Sequence, residues 1–285
     1  MQSGEQVQQS SQKKSSGIRY SSRLLAALNR FTGGLATEVA NPMAQKYGKA
    51  YDYLVTADAL RYQDDLESAI SRYEMALQLH QDFAEAYIGL GKCLRRKGDA
   101  MSAIRHFQNA LQLNPFDPDV HLDVAKCYNE AGYLKKAIRS YQRVIKINDR
   151  NIEAKFGLAL SYELDDQIVP AKKLYQEILA QDPEFMPAYN NLGSINVRLG
   201  EYKESESVFR ELISRSPEFS RGYLGLAITL DRCDRKQEAL MNYRKVIELR
   251  PNIQSGDYIQ GRIQTLTHEL GYKKNQNNTT LVRVK

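Results

Sequence analysis

The sequence predicts an all-α chain built as an array of six helix–turn–helix repeats. Three observations carry this prediction. Residues 50–253 divide into six units of 34 residues without insertion or deletion, namely 50–83, 84–117, 118–151, 152–185, 186–219 and 220–253. Two columns of that alignment hold only small residues. They are Ala57, Gly91, Ala125, Ala159, Gly193 and Ala227 at position 8, and Ala69, Ala103, Ala137, Ala171, Ser205 and Ala239 at position 20. A third column, position 24, holds only rings: Tyr73, Phe107, Tyr141, Tyr175, Phe209 and Tyr243. Self-similarity at a fixed period of this length marks a repeat architecture.

Each element of the unit can be read from its residues. Position 7 (Thr56, Leu90, Val124, Leu158, Leu192, Leu226) and positions 8 and 11 share one face of a first helix; positions 20, 24 and 27 share one face of a second. Small residues at 8 and 20 let the two helices approach closely, and the ring at 24 fills the space beside them. Gly98-Asp99, Gly132, Asp165-Asp166, Gly200 and Asp234 are turn residues that end the first helix. Pro115, Pro183, Pro217 and Pro251 fall at position 32 and are expected to stop the second helix; Gln81 and Asp149 stand there in the other two units. One helix pair cannot bury its apolar face alone, whereas stacked pairs can.

This pattern resembles the tetratricopeptide repeat family, whose signature is a bulky residue, Leu-Gly, Tyr, then Ala, Phe, Ala and Pro. Unit two carries it as Tyr87, Leu90-Gly91, Leu94, Ala103, Phe107, Ala110 and Pro115. Departures are His121 and Lys155 at the bulky fourth position and Asn196 at the eleventh. The resemblance implies a right-handed α-solenoid whose first helices line a concave face. It also implies a protein–protein interaction scaffold or adaptor that holds a peptide or protein partner in that groove.

The flanks read differently. Residues 1–17 are Gln/Ser-rich and expected to be disordered, and 18–49 form an N-terminal helical extension or cap. Within it, Ser22 is placed to cap a helix from Arg23 to Thr32 that Gly33-Gly34 ends. Its Leu24, Leu28 and Phe31 face suits docking on the first repeat, an anionic membrane surface, or a targeting role. After the repeats, Tyr258, Ile259, Ile263, Leu266 and Leu270 space out a capping helix within 254–271, followed by a basic flexible tail, 272–285. The net charge of +6 is unevenly spread: residues 1–48 and 272–285 each carry +4, leaving 49–271 at −2. A near-neutral array argues against nucleic acid as the partner, with an RNA-associated or membrane-tethering role through the tails as the alternative. No apolar run is long enough to span a bilayer and no secretory signal is recognisable, so a cytoplasmic protein is expected. Cys93, Cys127 and Cys233 lack metal-ligand or disulfide spacing.

No catalytic, metal or cofactor site is predicted. His80, His106, His121 and His268 sit at unrelated repeat phases, and Gly89-Leu90-Gly91 lacks the third glycine and preceding strand of a nucleotide loop. Its small residues at positions 6 and 8 serve helix packing instead. The concave face carries positions 2, 5, 6, 9, 12 and 13. In units four to six this gives a candidate peptide groove of Phe156, Leu160, Asn190, Asn191, Ser194, Arg221, Leu224 and Ile228, an apolar floor with amides beside it. In units one to three it gives a possible basic patch of Arg61, Lys92, Arg95, Arg96 and Lys126, interrupted by Glu85, Asp119, Asp123 and Glu130. That patch reads either as a clamp for an acidic peptide or as a solvated mixed-charge face. Some family members hold Hsp70/Hsp90 C-terminal carboxylates with a Lys–Asn, Asn, Lys–Arg clamp. The matching phases here hold Leu54–Asp58, Gly89 and Asp119–Asp123, so that ligand is not predicted.

Overall fold

The structure is a computed structural model that describes residues 41–253, 256–274 and 281–283. The expected helix Arg23–Thr32 lies outside the described residues. The chain forms two compact units, one ending at Arg143 and one beginning at Val144. Both are built of helices. A short α1 (Pro42–Tyr47) precedes the repeats. Their helix pairs are α2 (Lys49–Tyr62) with α3 (Leu66–Leu79), α4 (Ala84–Arg96) with α5 (Ala100–Leu113), α6 (Pro118–Glu130) then α7 (Leu134–Ile147), α8 (Ile152–Leu164) with α9 (Ile168–Gln181), α10 (Met186–Arg198) with α11 (Tyr202–Arg215), and α12 (Ser220–Arg232) with α13 (Lys236–Leu249). The capping helix is α14 (Gly256–Glu269). Part of the stretch expected as a flexible tail pairs in antiparallel fashion, β1 (Tyr272–Lys274) with β2 (Leu281–Arg283). Among the described residues no helix is long and apolar enough to cross a membrane.

Every first helix ends in the same way. The residue at position 15 takes a positive φ in all six repeats: Asp64 67°, Gly98 86°, Gly132 76°, Asp166 57°, Gly200 76° and Asp234 58°. The next amide then reaches back to the carbonyl five residues earlier, as Asp65 to Leu60, Asp99 to Leu94 and Arg235 to Leu230. Left-handed backbone suits Gly and is tolerated by Asp, which explains why only these two residues fill the column.

The second helices correct one expectation. All end at position 30, including Leu79 and Ile147, whose repeats have Gln81 and Asp149 in place of proline. His80 before Gln81 takes φ −141° and ψ 101°, close to the −136° and 87° of Asn114 before Pro115. Proline favours this extended residue but is not needed for it. The start of the next repeat fixes the remainder of the turn. Asp117 and Asn151 cap α6 and α8 with their side chains, while Phe83, at the same position, is fully buried instead. Its ring stacks 4.0 Å from that of Tyr47, and the Tyr47 hydroxyl donates to the Asp82 carbonyl at 3.2 Å. Through these contacts α1 packs against the turn between the first and second repeats.

The core is a series of rings held between backbones. Phe209 lies where a Cβ on Gly193 would come within 2.5 Å and one on Gly225 within 2.2 Å. The first glycine is position 8 of the same repeat and the second is position 6 of the next. Tyr73 meets Gly89 likewise at 2.3 Å, and Phe107 meets Gly91 at 2.8 Å. Two departures from the repeat signature are accommodated locally, while the third, Asn196, is buried with no partner for its Oδ1 among the described residues. His121 is buried with Nε2 2.8 Å from the Pro115 carbonyl, Lys155 reaches Gln181 at 3.3 Å, and Asn196 is only 2% exposed. Ser205, which replaces alanine at position 20, bonds the Gly193 carbonyl and the Thr229 hydroxyl.

This packing makes glycine substitutions unequal. Gly89→Ala forces a methyl into the Tyr73 ring and should destabilise the protein by about 1–3 kcal/mol. Gly261→Ala, in a helix with nothing within 4 Å of the new Cβ, should stabilise by about 0.5–1 kcal/mol. Urea unfolding followed by circular dichroism measures both, and equal effects would contradict the ring-clamp account. Thiol reactivity gives a separate check on burial. The surrounding core pushes Cys93 up to about 11 and Cys127 up to about 12, whereas Cys233 is exposed. Because the thiolate is the nucleophile, Ellman's reagent at pH 8 should titrate one thiol in the native chain and all three in denaturant.

Candidate functional site

The candidate basic patch of the first unit, Arg61, Lys92, Arg95 and Arg96, is engaged by neighbouring groups within that unit. Arg61 donates from Nη2 to Asp58 at 3.0 Å and from Nε to the Tyr73 hydroxyl at 3.1 Å. The Tyr73 hydroxyl itself donates to Asp58 at 2.7 Å. Arg96 bonds the Arg61 carbonyl at 3.0 Å and pairs with Asp64 at 2.5 Å. Lys92 pairs with Asp123 at 3.7 Å and Arg95 with Glu130 at 3.4 Å. Lys126 is not a free cation either. Three of these pairs join one repeat to its neighbour, each worth at most about 1 kcal/mol at such exposure. A recess of about 530 Å³ beside them is lined by Arg95, Arg96, Asp99, Met101 and Glu130 among others. Its two cations face two carboxylates, so the geometry matches a mixed-charge face better than an open clamp for an acidic peptide.

In the second unit the candidate groove residues fall on α8, α10 and α12, the first helices of their repeats. Phe156 is half-buried, its ring 5.8 Å from Tyr175 and 5.2 Å from Phe185, the latter edge to face. Leu160, Leu224 and Ile228 are half-buried too, and Leu224 and Ile228 pack on the core with their outer surfaces open. Part of each side chain therefore stabilises the unit whether or not a ligand is bound.

The amides are linked in a chain. Asn190 Nδ2 donates to Asn191 Oδ1 at 3.1 Å, Asn191 Nδ2 donates to the Tyr175 hydroxyl at 3.0 Å, and that hydroxyl donates to Glu163 at 2.5 Å. Burial first, and then the bond to Glu163, pushes the Tyr175 hydroxyl well above the usual phenol range. Asn191 has thus already used one donor and one acceptor. It sits at position 6, where it contacts the ring of the preceding repeat, the place that Gly89 and Gly225 occupy elsewhere. Its register alone would offer it to a peptide; in the structure its amide also holds the Tyr175 hydroxyl. Asn190 and Ser194 remain on the open side: Ser194 is exposed and bonds only its own helix, to the Asn190 carbonyl at 2.9 Å.

Three groups at the C-terminal end join the face outside the candidate set: Arg232, at position 13 of unit six, and Tyr258 and Arg262 of the capping helix. A recess of about 240 Å³ is lined by Ile228, Asp231, Arg232, Tyr243, Tyr258 and Arg262. Carrying the 34-residue register one step beyond Ile253 places Tyr258 at position 5 and Arg262 at position 9. The signal is present in the spacing, and reading the helix purely as a cap hides it. Arg262 grips Asp231 through Nε and Nη2, both at 2.6 Å.

Sequence profiles of the tetratricopeptide repeat match residues 54–118, 94–152, 153–184, 187–219 and 220–253. None of the curated proteins matches in sequence. Among solved structures, a tetratricopeptide repeat protein from Parabacteroides merdae is 22% identical, covering 78% of this chain and 92% of its own, with a TM-score of 0.62. YrrB, a TPR protein, is 22% identical over 66% of this chain and 97% of its own, with a TM-score of 0.54. MamA is 24% identical over 61% and 94% respectively, also with a TM-score of 0.54. These likenesses share the helix-pair fold. Six repeats in register, glycines pressed against the position-24 rings and profile matches from residue 54 to 253 show that the chain belongs to the tetratricopeptide repeat family, as a protein-interaction scaffold.

Proposed function

We propose that the first-helix face of the second unit receives an extended peptide segment of a protein partner. One observation carries the reading. Half-open aliphatic side chains (Leu160, Leu224, Ile228) flank a polar patch on α10 whose Ser194 is exposed and whose Asn190 keeps hydrogen-bonding capacity. An extended backbone presents N–H and C=O groups at regular intervals, and an amide side chain can answer either. Alternate side chains of the segment would then rest on aliphatic surface. In the first unit Arg61, Lys92, Arg95 and Arg96 are each paired with a carboxylate, so that face supports the reading less well. The likeness to YrrB, whose structure is described as having an unusual peptide-binding site, supports a peptide as the ligand class.

The test uses the full chain as bait in a cell extract, with mass spectrometry of what is retained. Ser194→Trp fills the groove from an exposed position, and Leu160→Glu puts a charge on its floor. Each should lower the recovered partner at least about tenfold, or about 1.4 kcal/mol, with helical content unchanged. Lys203→Glu, at an exposed site on α11, should leave recovery as it is. Unaltered recovery with both groove variants would sink the proposal.

A further inference from the structure

The C-terminal end of the groove differs in charge from everything before it. On α12, Arg221, Leu224, Ile228 and Arg232 are spaced at i, i+3, i+7 and i+11, so they form a single stripe along the helix. Both arginines are exposed, and neither is ion-paired with another described residue. This contrasts with Arg61, Lys92, Arg95 and Arg96, each of which has a carboxylate partner.

The carboxylate nearest to Arg232 along the chain is already engaged. Asp231 accepts two bonds from Arg262 at 2.6 Å and one from the Tyr243 hydroxyl at 3.4 Å. Arg262 also lies 3.6 Å from Glu269, which Lys236 shares at 3.2 Å. Asp231 and Arg262 thus neutralise each other within the recess, and Arg232 remains as its uncompensated charge. The rest of the lining is apolar or aromatic. Ile228 forms one wall, and Tyr258 adds a ring that is 61% exposed although the helix carrying it packs on α13.

Resting on the groove reading, we infer that this recess selects an acidic residue in the bound segment. The carboxylate of an Asp or Glu side chain pairs with Arg232, its methylenes lie against Tyr258, and the neighbouring apolar residue of the segment rests on Ile228 and Leu224. The partner is therefore a protein with an extended stretch in which aliphatic or aromatic residues alternate with acidic ones. The capping helix α14 accordingly contributes to recognition as well as closing the array. Charge complementarity of this kind contributes to partner choice more than to raw affinity.

Phage-displayed random heptapeptides selected on the full-length chain provide the test. The wild type should enrich Asp or Glu beside Leu, Ile or Phe. Arg232→Glu should reverse the preference toward Lys or Arg, and Arg232→Gln, which introduces no new charge, should abolish it. For a synthetic copy of the strongest selected peptide, changing its acidic residue to Gln should weaken binding about fivefold to the wild type and less than twofold to Arg232→Gln. Tyr258→Ala should weaken binding of the same peptide severalfold. Circular dichroism checks that each variant keeps its helices. Selection without acidic enrichment, or the same enrichment with Arg232→Glu, overturns the inference. The two readings fail separately. Selected peptides that lose binding to Ser194→Trp yet show no acidic preference refute only this recess, whereas peptides that bind Ser194→Trp unchanged refute the groove itself.

Discussion

The ring at position 24 sits on the second helix of each repeat, and where glycines face it the ring rests against backbone rather than side chains. Phe209 shows the arrangement in full, with Gly193 of its own repeat on one side and Gly225 of the next on the other. Six rings recur along the array, and each buried one contributes roughly 1.5–3 kcal/mol. The larger consequence is geometric. A ring wedged between two first helices sets their separation, and that separation determines where positions 5, 9, 12 and 13 come to lie. The proposed recognition face is placed by the packing behind it.

The same ring explains how polar residues are distributed. Three of the tyrosines at position 24 send their hydroxyls among the first helices, where each takes an acidic partner: Asp58 for Tyr73, Glu163 for Tyr175, Asp231 for Tyr243. Those partners stand at position 9 or 12. Where the ring is phenylalanine, the same two positions hold Lys92 and Arg95, or Ser194 and Val197. A buried hydroxyl without a partner is costly, which accounts for the acid in these three repeats; in the third repeat, beside Tyr141, the same two positions hold Lys126 and Asn129. This coupling withdraws several concave carboxylates from any ligand. It also decides which cations stay free: Arg61 joins the Tyr73–Asp58 set, and Arg262 joins the Tyr243–Asp231 set, leaving Arg232 outside.

Two levels of specificity are therefore separable in the second unit. In the proposed groove, aliphatic surface on Leu160, Leu224 and Ile228 would accommodate any apolar residue of suitable size, and Asn190 and Ser194 would answer a peptide backbone of any sequence. Discrimination requires a group whose satisfaction depends on the ligand. Among the groove residues, the exposed arginines of α12 are of that kind. The mixed-charge face of the first unit is not, because its pairs are complete without a partner.

Repeat number, helix boundaries at the turns and the identity of the buried columns were legible in the sequence, because each is set by short-range chemistry repeated six times. Gly and Asp meet the positive φ at position 15, and small residues admit the ring. Helix ends at position 30 were legible too, but for an incomplete reason, since proline is one of several residues that adopt the required extended backbone. The state of each concave side chain was not legible. Whether Lys92 is free depends on Asp123, 31 residues away, and whether Asn191 is free depends on the Tyr175 hydroxyl. Such pairings join residues of neighbouring repeats, and the one-dimensional register says that two positions share a face without saying which atoms meet. The sequence by itself determined the array and the register of its first-helix positions. Tertiary structure decided which of those positions retain unsatisfied chemistry, because hydrogen bonds and ion pairs between repeats are formed only once the rings have brought the helices together.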